Sequence, residues 1–514
     1  MNKNYFGIID IGSNTIRLVI YAQENAGRLR DVESIKSVAR LRNHLDQNNH
    51  LTDQGINKLQ TALQSFKAVI QTYQLEDLVC VATATIRQAT NKASILDKIQ
   101  QEVGLTIKIL SEQEEAYFGY LAVVHSTSIT DGITIDIGGG STELTYFKNR
   151  EIVESHSFPF GTITLKDFFN QDPVTDKERQ ALRSFVYQQF DTLPWLTNKQ
   201  VPIIAIGGSA RNVVQIDQHR KNYPFAGLHQ YQMQGTDIKE ISELISQRTI
   251  EQRQQVEGLS KDRADIILPA IEVFDCLFET VGATSFILSR KGLRDGMFYQ
   301  QLADHIGTDL LPDVVEDSIQ ELVHYYDLDA NKSNHVQQLV SYLHDVIELD
   351  NPLTKQDWEL LSLASYVFNL GDYIDSESSA QHTFYLLANR TMDGLMHRDR
   401  LQLALIASFK SKSVFKQFIE PVEDWFTKQE QRKLRLLGAL LKFGYSLNTT
   451  NRKIVTQLDG TATNNTLTIK VFCDQDWMPE EYQAEKQKKH LERELDKNIE
   501  LTFVNTTEDD AANK

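Results

Sequence analysis

At 514 residues the chain is longer than one hydrophobic core ordinarily serves, which predicts two or more domains. Lysine and arginine total 53 against 70 aspartates and glutamates, and the net charge of -17 argues against a broad nucleic-acid-binding or anionic-membrane surface. No apolar run reaches the ~18 residues of a membrane span, and any polyanion must find a locally basic groove.

Residues 5–22 read as two strands joined at Gly12-Ser13-Asn14, followed by a strand over 32–42. Ile56, Leu59, Leu63, Phe66 and Ile70 have helical spacing, which predicts a helix over 53–73. A strand over 78–83, a helix over 92–103 and a strand over 106–110 complete an α/β alternation. Ser111 and Glu114 have capping-box spacing ahead of the apolar run 117–124, so Glu114 is engaged with the helix end and Glu115 is left free. A second α/β stretch carries helices near 176–190, 237–247 and 262–281, and a further strand-to-glycine turn at Gly207-Gly208-Ser209.

Beyond residue 300 the glycines thin out, and helical patterns over 314–326, 336–347, 358–370, 400–409 and 430–443 predict a separate helical domain. A final stretch alternates as strands, notably over 453–458 and 467–472, interrupted by a charged helix near 479–495, with a polar tail over 505–514 that should fray. These shifts place domain boundaries at 1–124, 125–300, 301–445 and 446–514. Cys80, Cys276 and Cys473 lie far apart, without metal-ligand spacing, and no apolar signal segment precedes the first strand. Both features point to a reduced, cytoplasmic setting.

One local pattern occurs twice: Ile8-Ile9-Asp10-Ile11-Gly12-Ser13-Asn14-Thr15 and Thr134-Ile135-Asp136-Ile137-Gly138-Gly139-Gly140-Ser141-Thr142. Each is a β-branched apolar run ending in a carboxylate and then glycine, so that backbone N–H groups can approach an anion. The N–H groups of 12–14 and 138–142, with the Ser13, Ser141 and Thr142 hydroxyls, can hold phosphoryl oxygens as anion nests do. Asp136 and Glu143 are then placed to hold Mg²⁺, directly or through water, with Asp10 a third candidate from the opposite hairpin. Two such turns, each heading its own α/β half, imply a duplicated architecture around a cleft.

Asp10-Ile11-Gly12-Ser13-Asn14, Thr85-Ile86-Arg87-Gln88-Ala89, Glu114-Glu115-Ala116, Asp136 through Glu143 and Gly207-Gly208-Ser209 resemble, in order, the motifs of exopolyphosphatases and guanosine pentaphosphate phosphohydrolases. That resemblance implies two ribonuclease H-like domains of the actin-like ATPase superfamily, then an all-α domain related to HD phosphohydrolases and a small C-terminal α+β domain. It also implies a hydrolase of phosphoanhydrides. Within it Glu115, matching the family's second glutamate, is the base that activates water, with Glu143 as its catalytic companion. Arg87 matches the arginine that clamps the terminal phosphate, and Gly207-Gly208-Ser209 a loop that touches phosphate or closes the cleft. Arg17, Lys36, Arg40 and Arg263 are weaker candidates for its walls.

Where related sequences carry a His-Glu or His-Asp pair, this chain has Phe368-Asn369, with His335 and His382 on the flanks. A second metal site would lack ligands there. The His344-Asp345 dipeptide reads as helix packing. The substrate implied first is inorganic polyphosphate, with Mg²⁺ as cofactor and, by family analogy, a homodimer; guanosine pentaphosphate is the alternative. A sensor that binds nucleotide without turnover, or a sugar or acetate kinase, are readings of other kinds.

Overall fold

The computed structural model describes residues 4–23, 29–306, 313–347, 353–463 and 465–506. They form two compact units, one of residues 1–223 with 228–314, the other of 224–227 with 315–514. The first unit holds two sheets built to one plan. In the first sheet β1 (Asn4–Ile11), β2 (Ile16–Gln23), β3 (Leu29–Ser37), β4 (Leu75–Ala82) and β5 (Ile107–Ile109) run in the order β3-β2-β1-β4-β5. The three hairpin strands are antiparallel, and β4 and β5 join β1 in parallel.

The second sheet contains β6 (Gly132–Ile137), β7 (Thr142–Lys148), β8 (Glu151–Phe158), β9 (Ile203–Ile206), β10 (Gln232–Met233) and β11 (Phe286–Leu288), ordered β10-β11-β9-β6-β7-β8. Apart from the edge strand β10, this repeats the first sheet strand for strand. The hairpin registers also coincide: Asp10 faces Arg17 across β1–β2, and Asp136 faces Glu143 across β6–β7. The duplication read from the two glycine turns is therefore a duplication of topology.

The central strands are continuous apolar runs because both faces of each sheet are covered. Ile9 and Ile11 face α1 (Asp53–Ile70), through Leu59, Leu63 and Phe66. After α2 (Ala84–Gln88), α3 (Lys92–Glu102) adds Ile95 and Ile99 to that core. The next helix, α4 (Glu112–Val124), leaves the first half and lays Tyr120, Leu121, Val123 and Val124 against Phe147, Ile204 and Ile206 of the second sheet.

The second half continues with α5 (Thr162–Leu165), α6 (Asp176–Phe190), α7 (Gly207–Arg220), α8 (Gly235–Ser246), α9 (Ile250–Arg253) and α10 (Ile267–Val281). Its last helix, α11 (Leu293–Ile306), returns to the first sheet, with Met297 and Phe298 against Ile8, Val19, Tyr21 and Val81. Each half thus lends a helix to the other. Burying one such side chain contributes about 2 kcal/mol, so the exchange ties the halves together.

Some elements differ from their sequence expectation. The strand expected to reach residue 42 stops at Ser37, because Arg40 takes a left-handed conformation (φ 46°) before a 3-10 turn at Leu41–His44 that buries Leu41. Gly207-Gly208-Ser209 is the first turn of α7 rather than a hairpin-like turn. The helix expected over 262–281 is divided into a 3-10 turn, Lys261–Arg263, and α10. The short helix over 84–88 was not expected at all.

The second unit contains α12 (Val314–Tyr325), α13 (Ala330–Val346), α14 (Lys355–Val367), α15 (Ser379–Asn389), α16 (His397–Ala407), α17 (Lys412–Ile419) and α18 (Lys428–Ser446). A three-stranded sheet follows, β12 (Val455–Ala462), β13 (Thr466–Cys473) and β14 (Asn498–Asn505), with α19 (Met478–Leu495) crossing between the parallel pair β13 and β14. Buried Glu494 on α19 pairs with Arg435 on α18 at 3.0 Å, which pins the two helices. The tail expected to fray lies, from residue 507, outside the described residues. Among the described residues no helix is long and apolar enough to cross a membrane.

Candidate active site

The two glycine turns converge. In the first, the Gly12 N–H donates to the Thr15 carbonyl at 3.0 Å; in the second, the Gly138 N–H donates to that of Ser141 at 2.9 Å. Thr85 at the start of α2 donates to the Ser13 hydroxyl at 2.8 Å. Ser13 in turn lies so near the opposite turn that a Cβ on Gly139 would stand 2.9 Å from its own, and one on Gly140 3.4 Å from its hydroxyl. Beside it the Asn14 amide is buried, with neither its oxygen nor its nitrogen hydrogen-bonded. Leaving such atoms unmade costs about 1–3 kcal/mol each, and a bound anion with its water would satisfy them.

The second turn rests on Gly161. The N–H groups of Thr162 and Ile163 donate to the Gly138 and Gly139 carbonyls at 2.9 and 3.0 Å, which holds residues 138–140 against the start of α5. The Thr142 hydroxyl, buried, donates to the Phe160 carbonyl at 2.7 Å. Its proton is therefore committed to the protein, and of the three hydroxyls expected to meet phosphate Ser141 is hydrogen-bonded to Glu143, while Ser13 accepts from Thr85 and keeps its own proton to give.

Four carboxylates crowd this cleft. At the head of α4 the capping box forms: Ser111 accepts from the Glu114 N–H at 3.1 Å, and Glu114 from the Ser111 N–H at 2.8 Å. Glu115, left out of the cap, is bonded to the Arg87 guanidinium, which also donates to the Leu110 carbonyl at 2.9 Å. The two residues given separate roles by resemblance thus hold each other. One Arg87 nitrogen, Nη2, is buried without a hydrogen bond, with Glu112 at 3.7 Å.

A first-turn position should lower the Glu115 pKa. Burial wins instead, and although Arg87 pulls it down, desolvation together with Asp10 and Asp136 pushes it up to about 7. Burial and the neighbouring Asp10 push Asp136 up to about 6, and burial with Glu115 and Asp136 drives Glu143 well above the carboxylate range. Asp10 is raised by burial, against the pull of Arg294 and Arg17.

Because these groups hold protons more tightly folded than unfolded, they cost stability as pH rises through the window from about 4 to about 7. Asp136→Asn should therefore raise the melting temperature in chelator by a few degrees at pH 7, with the gain shrinking toward pH 4. Scanning calorimetry at three pH values checks it, and a gain that is flat with pH counts against the charge explanation.

Gly207 makes room for this arrangement. Its φ is +87°, and a Cβ there would stand 2.7 Å from Asp136 Oδ1. The next residue, Gly208, underlies the Arg263 guanidinium, which also donates to Ser209 Oγ at 3.3 Å. The first turn of α7 thus supports a carboxylate and a guanidinium that face the cleft.

Sequence reasoning missed most of the basic wall. Arg211, in the second turn of α7, is largely buried with Nε unpaired, and burial with Arg290, Arg17, Arg294 and Arg263 pushes it down to about 10. Arg294 reaches Asp10 at 3.5 Å. The available signal was position: Arg211 follows β9, while Arg290 and Arg294 follow β11, and the carboxyl ends of parallel strands are where such sheets bind ligands. Of the four wall candidates, Arg17 and Arg263 belong to this cluster. Lys36 is tied to Asp262 at 2.9 Å, and Arg40 to the Asp262 carbonyl at 2.8 Å and to Asp265 at 3.4 Å.

Among the described residues no group of three or more His, Cys, Asp or Glu side chains forms a ready metal cage. Mg²⁺ seldom uses one, taking one or two carboxylates with water and phosphate oxygens. Buried, mutually repelling Asp10, Asp136 and Glu143 supply hard oxygen donors of that kind, so the residues present fit the ion.

A model of the Ppx/GppA phosphatase family matches residues 19–305, and one of Ppx/GppA phosphatase domain III matches 314–497. The crystal structure of the Aquifex aeolicus Ppx/GppA family member is 26% identical with a TM-score of 0.53, over 59% of this chain and 99% of that one. An exopolyphosphatase from Cytophaga hutchinsonii is similar in fold, at 20% identity and a TM-score of 0.54, over 59% of this chain and 98% of its own.

Proposed function

This chain belongs to the Ppx/GppA phosphatase family, and we propose that its cleft removes the terminal orthophosphate from inorganic polyphosphate with Mg²⁺. The observation that carries the reading is the meeting of opposite charges in one cleft: buried Glu143 and half-buried Asp10, Glu115 and Asp136 stand among Arg17, Arg211, Arg263, Arg290 and Arg294. Five arginines exceed what one terminal phosphate needs. A chain of phosphates, each carrying charge, supplies a partner for every one.

In this reading the N–H groups of residues 12–14 and 138–142 hold the terminal phosphoryl oxygens, with the Ser13 and Ser141 hydroxyls. Asp136 and Glu143, with Asp10, would hold Mg²⁺, which neutralises charge on the phosphoryl oxygens. Glu115 accepts a proton from water as its oxygen bonds to the terminal phosphorus and the anhydride P–O bond breaks, leaving orthophosphate and a chain shorter by one unit. Arg87 shares its charge between Glu115 and the incoming phosphate, so substrate entry loosens the pair and frees the carboxylate. Arg211 and its neighbours act on the part of the chain that is not cleaved.

Two measurements test this. Purified protein with Mg²⁺ should release orthophosphate from long polyphosphate faster than from guanosine pentaphosphate; the reverse order favours the second substrate, and binding without release favours a sensor. Arg211→Met should raise KM for long polyphosphate about tenfold with kcat nearly unchanged, since it removes binding shared by ground and transition states. An unchanged KM would take Arg211 out of the substrate path.

A further inference from the structure

A second basic cavity lies wholly within the helical unit. It has a volume of about 330 Å³ and is lined by Lys332 of α13, Ser379 of α15, Lys410 after α16, Lys442 of α18, and Gln483 and Gln487 of α19. That size belongs to small-molecule sites rather than to polymer grooves. Lys442 is held with its ammonium donating to the Lys410 carbonyl. Burial first, and then the neighbouring cations Lys489, Lys410 and Lys486, push its pKa down to about 8. In a chain with a net charge of -17, a local excess of lysines around a half-buried amine is an anion site waiting for its counter-charge.

A second observation is independent of charge. Ser379 is 8% exposed, lines the cavity, and its hydroxyl has no hydrogen-bond partner. A buried hydroxyl left unpaired marks a place where a ligand atom or water completes the bonding. Asp372 and Glu377 also line the cavity. Both can accept hydrogen bonds from a ligand's hydroxyl or amino groups.

We propose that this cavity binds a small organic phosphate, one whose phosphoryl group meets Lys410 and Lys442 and whose hydroxyl or amino groups meet Ser379, Asp372 and Glu377. The shared chemistry is a phosphate ester on a polar body, supplied by a nucleotide or by a sugar phosphate. The chemistry of the other unit plays no part in it.

Hydrogen-exchange mass spectrometry on the full chain locates the site. Millimolar guanosine diphosphate or glucose 6-phosphate should slow exchange in residues 438–446 and 479–490 of wild type and of Lys442→Arg, but not of Lys442→Gln. Which of the two ligands does so identifies its source. Protection confined to residues 136–142, protection by long polyphosphate alone, or none with either small ligand overturns the proposal. Should Lys442→Gln not fold, amine-directed acylation of Lys442 in wild type replaces it: the effective ligand, at about ten times its Kd, should slow labelling about tenfold by occupying the amine. Unchanged labelling overturns it equally.

Discussion

Glu115→Gln should lower kcat on polyphosphate about a thousandfold while the Kd for the polymer stays within about twofold. The substitution keeps size and replaces the carboxylate proposed to take the proton from water with a neutral amide. Affinity survives because ground-state binding falls to the backbone cradles and the arginines, and because a neutral partner leaves Arg87 with more charge for phosphate, its bond to the Leu110 carbonyl being untouched. Wild-type kcat/KM should fall on the acid side of about 7, one proton per molecule, since protonated Glu115 cannot act as a base. Nearby Mg²⁺ lowers that value when bound. The variant should lack this acid limb. Turnover near wild type in single-turnover assays would remove Glu115 from the mechanism and leave it as a tether for Arg87.

Gly161→Ala should be nearly as damaging, although Gly161 contributes no functional group. A Cβ there would stand 2.5 Å from the Gly138 carbonyl oxygen, and 2.6 Å from the Gly139 carbon and the Gly140 nitrogen. All three are backbone atoms with no rotamer to escape into, so the second cradle must move as a piece. Displacing a reacting geometry by about 1 Å costs on the order of a hundredfold in rate, and overpacking costs about 1–3 kcal/mol in stability. We expect kcat/KM to drop about a hundredfold and the melting temperature to fall by several degrees. Normal kcat/KM in a correctly folded Gly161→Ala protein would show that residues 138–140 do not position the phosphoryl group.

The parts legible in sequence were those written locally. A β-branched run, an aspartate and glycines within ten residues specify the two cradles, and Ser111 with Glu114 specifies the head of α4. What escaped depends on distance or burial. Arg17, Arg211, Arg263, Arg290 and Arg294 come from both halves, and only the fold collects them. Position alone predicted a lowered pKa for Glu115, but the desolvation that reverses it comes from neighbours no local window contains. Gly207-Gly208-Ser209 was misread as a turn because a strand followed by glycines can open either a turn or a helix; here the helix proceeds through Val213 and Val214 into the core. The exchange of α4 and α11 between sheets is likewise settled by long-range packing, of α4 on Phe147, Ile204 and Ile206 and of α11 on Ile8, Val19, Tyr21 and Val81.

Duplication by itself would yield a symmetric gate, indifferent to which way a linear molecule entered. A single site breaks that equivalence: across from Asp10 the hairpin carries Arg17, and across from Asp136 it carries Glu143. One doorpost is thereby made cationic and the other anionic. Under the proposed reaction either of the two equivalent ends of a phosphate thread can enter, and once seated its body lies toward the arginine and its tip toward the glutamate.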